Sequence, residues 1–247
     1  MTLPSSPAAE VKTRVVEYRD GDTVLEGLVA WDDAGPARKP GVLVIHDWVG
    51  VGPYMKQRAE MLARLGYVAF AADVYGKGVR PVPPQAGEVA GKWKADRRAL
   101  RSRLLVGLAE LRRQPGVDSA RVAAIGYCFG GTSALELARA GADVRGVVSF
   151  HGGLDATMPA EKGAVKAKVL VLHGADDPFV PDAQVKAFQD EMRAAGADWQ
   201  LVAYSGAVHS FTRPDAGDDD SKGAAYDEAA DRRSWEHMKV FFGEVLR

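Results

Sequence analysis

The chain has 247 residues, 47% of them hydrophobic and 26% charged, with 32 basic against 33 acidic side chains and a formal net charge of −1. That length suits one α/β domain with a large core, and the balanced charge excludes the electrostatic footprint of a nucleic-acid or anionic-membrane binder. Cys128 is the one cysteine, which excludes an internal disulfide and a cysteine-based zinc site and fits a reducing, cytoplasmic setting.

Met1 to Ala9 is rich in Pro, Ser and Ala and lacks the basic and apolar regions of a signal peptide. It is predicted to be a disordered tail, leaving residues 10–247 as a single domain. Val11 to Tyr18 is rich in β-formers, Asp20-Gly21-Asp22 is a turn signal, and Thr23 to Trp31 alternates as a hairpin partner. Gly41 to His46 is a continuous apolar run between Gly and Asp, the pattern of a central strand buried on both faces.

Strands and helices alternate from there. Pro53 to Leu65 places Met55, Ala59, Leu62 and Ala63 on one helical face and ends at Gly66. Tyr67 to Ala72 reads as a strand, Asp73 to Pro84 as an irregular loop, and Gln85 to Arg113 as one helical stretch. Val122 to Ile125, Val144 to Phe150, Ala167 to His173 and Trp199 to Tyr204 read as strands, with helices at Asp182 to Ala194 and Ser221 to Leu246. No apolar run is long enough to span a bilayer. The predicted fold is α/β: a mostly parallel sheet with helices on both faces and an N-terminal antiparallel hairpin.

The chemistry centres on Gly126-Tyr127-Cys128-Phe129-Gly130, between an apolar strand and a small-residue helix. This is the layout of a nucleophile elbow with cysteine at the serine position. Side chains two residues to either side of the nucleophile would collide in so tight a turn, hence Gly126 and Gly130. The helix N-terminus favours a thiolate or an oxyanion. A cysteine nucleophile needs a base, and the base needs a group that holds its tautomer. Nucleophile, acid and histidine in that order are available as Cys128, either Asp176 or Asp177, and His209. His46, His151, His173 and His237 read as packing or supporting residues, and none of the histidine spacings suggests a metal site. No cofactor is called for.

Gly126-Tyr127-Cys128-Phe129-Gly130-Gly131, Gly174-Ala175-Asp176-Asp177-Pro178-Phe179-Val180-Pro181 and Gly206-Ala207-Val208-His209-Ser210-Phe211-Thr212-Arg213 together resemble the dienelactone hydrolase family of α/β-hydrolases. The resemblance runs from about Val11 to the C-terminus. It implies a triad of Cys128, His209 and Asp177, selecting Asp177 over Asp176. It also implies a thiol-supporting acid at Asp47, where glutamate is usual, and oxyanion N–H donors at Trp48 and Phe129. Family members acting on dienelactone hold its carboxylate with two arginines; Arg213 matches one, and Lys77 stands at the other. Tyr75, Trp93 and Phe211 are further candidates for the substrate pocket.

The implied activity is hydrolysis of a small ester or lactone through a thioester, by a monomer or homodimer. A general carboxylesterase or thioesterase is the nearest alternative. A non-catalytic ligand-binding or redox-sensing protein built around Cys128 is the alternative of another class.

Overall fold

The eight strands found in a computed structural model, which describes residues 10–247, lie in one sheet, while the tail expected at residues 1–9 falls outside the described residues. In chain order the strands are β1 (Val11–Asp20), β2 (Thr23–Asp32), β3 (Lys39–Ile45), β4 (Val68–Ala72), β5 (Val117–Tyr127), β6 (Gly146–Phe150), β7 (Lys168–Gly174) and β8 (Trp199–Tyr204). Their order across the sheet is β1-β2-β4-β3-β5-β6-β7-β8. β1 pairs antiparallel with β2 and β2 with β4, and every pairing from β4 to β8 is parallel. This is the predicted α/β-hydrolase arrangement.

The central strands are apolar throughout because both sheet faces are covered. On β3, Leu43 and Ile45 face one core, with helices α2 (Gln85–Ala95), α3 (Arg97–Arg113), α4 (Phe129–Arg139) and α5 (Asp182–Ala195) above it. Val42 and Val44 face the other, under α1 (Pro53–Arg64) and α6 (Glu228–Val245). All four side chains are fully buried, each worth about 1.5–3 kcal/mol of transfer free energy.

Three boundaries differ from the sequence reading. The stretch expected as one helix over Gln85 to Arg113 is two, because the Asp96 backbone leaves the helical region and its carboxylate caps α3 by accepting from the Ala99 N–H at 3.0 Å. β5 begins at Val117, upstream of the expected Val122, and its register against β3 shifts between Pro40 and Gly41. The last helix begins at Glu228, capped by Asp227, and Asp220–Lys222 upstream of it forms only a short 3-10 turn.

Parallel strands bring their carboxyl ends to one edge, so the segments after β3, β4, β5, β6, β7 and β8 converge there. That edge carries the site.

Candidate active site

Cys128 sits between β5 and α4 with φ 54° and ψ −114°, a strained conformation for a residue with a Cβ. The turn is fastened on both sides. The Cys128 N–H donates to the Phe150 carbonyl at 3.0 Å, and the Cys128 carbonyl accepts from the Thr132 N–H at 3.1 Å. A Cβ at position 126 would lie 1.9 Å from the Gly130 carbonyl oxygen, and one at position 130 would lie 2.1 Å from that of Ile45. Both contacts are with backbone, so neither glycine can be replaced without moving the turn.

His209 lies in the segment after β8. Its N–H donates to the Gly223 carbonyl at 3.1 Å and its carbonyl accepts from the Ala225 N–H at 3.0 Å, which pins the loop at the histidine itself. His209 Nε2 lies 3.0 Å from Cys128 Sγ, and Nδ1 lies 2.8 Å from Asp177 Oδ2. Asp177, after β7, is fully buried at its carboxylate, and its Oδ1 accepts from the Phe179 N–H at 2.8 Å. The neighbouring Asp176 points elsewhere and accepts from the Gly206 N–H at 2.8 Å.

Burial alone would depress the basicity of His209, but the facing Cys128 and the Asp177 carboxylate outweigh it and lift its pKa to about 10. The ring stands between the edge-on rings of Phe179, at 5.5 Å, and His151, at 5.2 Å. His151 is buried, and its Nε2 lies 2.7 Å from Thr212 Oγ1. Burial, the neighbouring His209 and Arg58 hold His151 well below the usual imidazole range, so the positive charge belongs to His209.

Cys128, His209, Trp48 and Phe129 line a cavity of about 260 Å³. Phe129 is the first residue of α4, so its N–H lies among those with no intrahelical acceptor. Trp48 follows β3 in a turn held by the Val49 N–H donating to Asp47 Oδ1 at 3.0 Å. His46 braces the turn from below: Nδ1 lies 2.6 Å from the Asp47 carbonyl, and Nε2 accepts from the Val74 N–H at 3.1 Å, which places the ring proton on Nδ1.

The other expected site residues stand away from the cavity surface. Asp47 is held by Val49 and Arg213 and, among the described residues, makes no hydrogen bond to Cys128; the aspartate side chain is a methylene shorter than the usual glutamate. Arg213 bridges Asp47 and Asp215 instead of facing the cavity. Lys77 pairs with Glu17 at the surface, 45% exposed. The Tyr75 hydroxyl donates to the Trp48 carbonyl at 3.2 Å, behind the wall rather than in it. Trp93 packs on the core with the Arg103 guanidinium 4.9 Å from its ring centroid, and Phe211 is core beside His151. Arg213, Lys77, Tyr75, Trp93 and Phe211 therefore do not line this cavity.

In their place the wall is made by Gly87, Ala90 and Lys94 of α2, by Thr132, Gly153 and Asp155, and by Phe179, Val180 and Gln184. Only the spacing of Gly87, Ala90 and Lys94, one helical face, hinted at any of these in the sequence.

Residues 25–246 match the model of the dienelactone hydrolase family, nine-tenths of the chain. The chain belongs to the dienelactone hydrolase family. Among solved structures it is similar to a dienelactone hydrolase-like promiscuous phosphotriesterase from metagenomic libraries, with 42% identity, a TM-score of 0.92, and coverage of 96% of this chain and 99% of that one. It is 27% identical to a protein of Salmonella typhimurium provisionally named carboxymethylenebutenolidase, over 98% of this chain and 91% of the relative. A protein of Caenorhabditis elegans of uncharacterized function is 36% identical over 60% of this chain and 94% of its own. As a family member the chain is a carboxylic ester hydrolase for small esters or lactones. Among the described residues no three His, Cys, Asp or Glu are grouped to hold a metal ion, and no helix is long and apolar enough to cross a membrane.

Proposed function

We propose that this dienelactone hydrolase family member cleaves its ester or lactone with Cys128 as nucleophile, His209 as acid and base, and Asp177 as the group that orients His209. The observation that carries this reading is His209 itself, 3.0 Å from Cys128 Sγ through Nε2 and 2.8 Å from Asp177 through Nδ1. Its raised pKa supports a protonated His209 ring facing the Cys128 sulfur, and a thiolate is the form in which a cysteine attacks.

The substrate carbonyl oxygen sits between the N–H groups of Trp48 and Phe129. Sγ adds to the carbonyl carbon, and the displaced electron pair resides on the oxygen, where the two donors hold it. Collapse breaks the bond to the leaving alkoxide or enolate, which takes the proton from His209, and leaves a thioester on Cys128. His209, now neutral, draws a proton from water as the water oxygen adds to the thioester carbonyl. The second collapse expels the Cys128 thiolate, and the acid departs. The first tetrahedral intermediate expels a thiolate more readily than an alkoxide and then returns to substrate, so lactones that release a stabilised enolate suit this nucleophile. Cys128 is free and partly exposed, so it must stay reduced to work, which favours a cytoplasmic setting.

Intact-protein mass spectrometry during turnover of an activated ester and of an unsaturated lactone tests the reading. A transient acyl adduct on Cys128, lost in Cys128→Ala along with hydrolysis, is the expected result. Turnover that survives in the variant moves the nucleophile elsewhere. A permanent adduct without acid release instead favours a binding or sensing protein.

A further inference from the structure

α2 runs from Gln85 to Ala95 and contributes Gly87, Ala90 and Lys94 to the cavity lining, spaced as one face of a helix. The first two are small and leave room, and a Cβ on Gly87 would already touch the Trp48 ring at 3.9 Å. The third carries a charge. Four titratable side chains line the cavity: Lys94, Cys128, Asp155 and His209. Cys128 and His209 face each other, and their proton exchange leaves the pair's net charge unchanged. Asp155 is balanced by Arg97, whose guanidinium is buried beneath it. Lys94 is exposed and enters no ion pair among the described residues. Among the four, Lys94 is thus the one charged side chain with no counter-charge among the described residues, and it stands on α2.

The two cation positions implied by the family resemblance do not supply that charge. Arg213 is engaged by Asp47 and Asp215, and Lys77 by Glu17. Gln184 also lines the cavity, and with its Oε1 accepting from the Leu154 N–H at 2.7 Å its NH2 group is the part that can donate to a ligand.

We propose that the α2 face of Gly87, Ala90 and Lys94 is the specificity wall of this enzyme, with Lys94 reading an anionic group on the ester or lactone. The assignment rests on the cysteine-hydrolase reading of the same cavity. The acyl or leaving group occupies the space over Gly87 and Ala90, between the rings of Trp48 and Phe179, and its anion meets the Lys94 ammonium near the solvent rim. An ammonium serves there as a movable point charge, so it tolerates substrates of different reach better than a fixed guanidinium fork.

The test uses three activated phenyl esters: a neutral butyrate, a hemisuccinate with its carboxylate on the acyl side, and a butyrate with a carboxylate on the phenol. In the wild-type enzyme at least one anionic ester gains over its neutral counterpart, and the gain shrinks with added salt. Lys94→Met is expected to lower that anionic-to-neutral ratio of kcat/KM about tenfold, the scale of one charge-assisted contact. Lys94→Glu lowers it further, and Lys94→Arg restores part of it. A ratio that stays at the wild-type value in both Lys94→Met and Lys94→Glu overturns the assignment, while hydrolysis that persists in Cys128→Ala overturns the underlying reading instead.

Discussion

Two walls of one cavity were built by different rules. The wall of Cys128 and His209, with Asp177 buried behind it, comes from loops that each leave a parallel strand, and each loop is tied down within a few residues of those side chains. The wall of α2 comes from a helix that follows a loop of irregular structure from Asp73 to Pro84, and its residues face the cavity through the packing of α2 against α3. In the proposed mechanism the first wall must place atoms to within tenths of an ångström for proton transfer. The second needs only to offer shape and charge, so its composition follows no motif.

The sharpest way to break this contrast is to remove parts of the first wall. Cys128→Ala is expected to lower kcat/KM by about 10⁴-fold or more, and Asp177→Asn by about 10²-fold to 10⁴-fold, measured on an activated ester. Asp176→Asn, one residue away, is expected to cost less than about threefold, because Asp176 only ties Gly206 to its turn. Equal losses for the two aspartates would contradict the geometry.

A backbone change in the same wall acts on folding. Gly130→Ala forces a Cβ to within 2.1 Å of the Ile45 carbonyl oxygen and cannot be relieved by a side-chain rotation. The expected loss is about 3 kcal/mol or more, read as a lowered denaturant midpoint or as insoluble protein. Gly91, on α2, has open space around its Cβ, so Gly91→Ala is expected to be neutral or slightly stabilising by the same measure.

The charge of His209 gives a subtler test. Its pKa of about 10 lies above the ordinary 6.5, so its contribution to stability is complete below pH 6.5 and is lost as the pH rises through about 10. The imidazole resonances of His209 in NMR are therefore expected to report the protonated ring at neutral pH. Removing Cys128 takes away two of the contributions that raise the value, so Cys128→Ala moves the titration toward lower pH. An unchanged titration in the variant would show that the thiol is not what raises it.

The smallest expected effect is at the family's second cation position. Lys77→Ala removes only an exposed pair with Glu17, and kcat/KM for every ester is expected to stay within about twofold.

Much of this was readable before any coordinates. The alternation of strands and helices follows from apolar periods, which reflect burial on one face or two, and the strand from Trp199 to Tyr204 came out with the predicted bounds. The elbow glycines followed from sterics. The helical break at Asp96 was missed because the apolar period runs on across it, and only the cap reveals where one axis ends and the next begins. The aspartate proposed to hold His209 was ambiguous from residues alone, since Asp176 and Asp177 are chemically identical and both suit a turn. The family resemblance picked Asp177, and the distance to His209 is in accord with that choice.

What the sequence by itself determined is therefore local: a cysteine on a strained turn, the strand-end loops that can meet it, and a sheet to carry them. Those features depend on contacts between near neighbours, and near neighbours are written side by side. Only the tertiary structure decided what faces the cavity. Arg213 had the charge and the motif to bind substrate, yet it lies between Asp47 and Asp215, while Lys94 has no ion-pair partner among the described residues and lines the cavity. Pairing among charges depends on distances between segments far apart in the chain, and no local pattern encodes them.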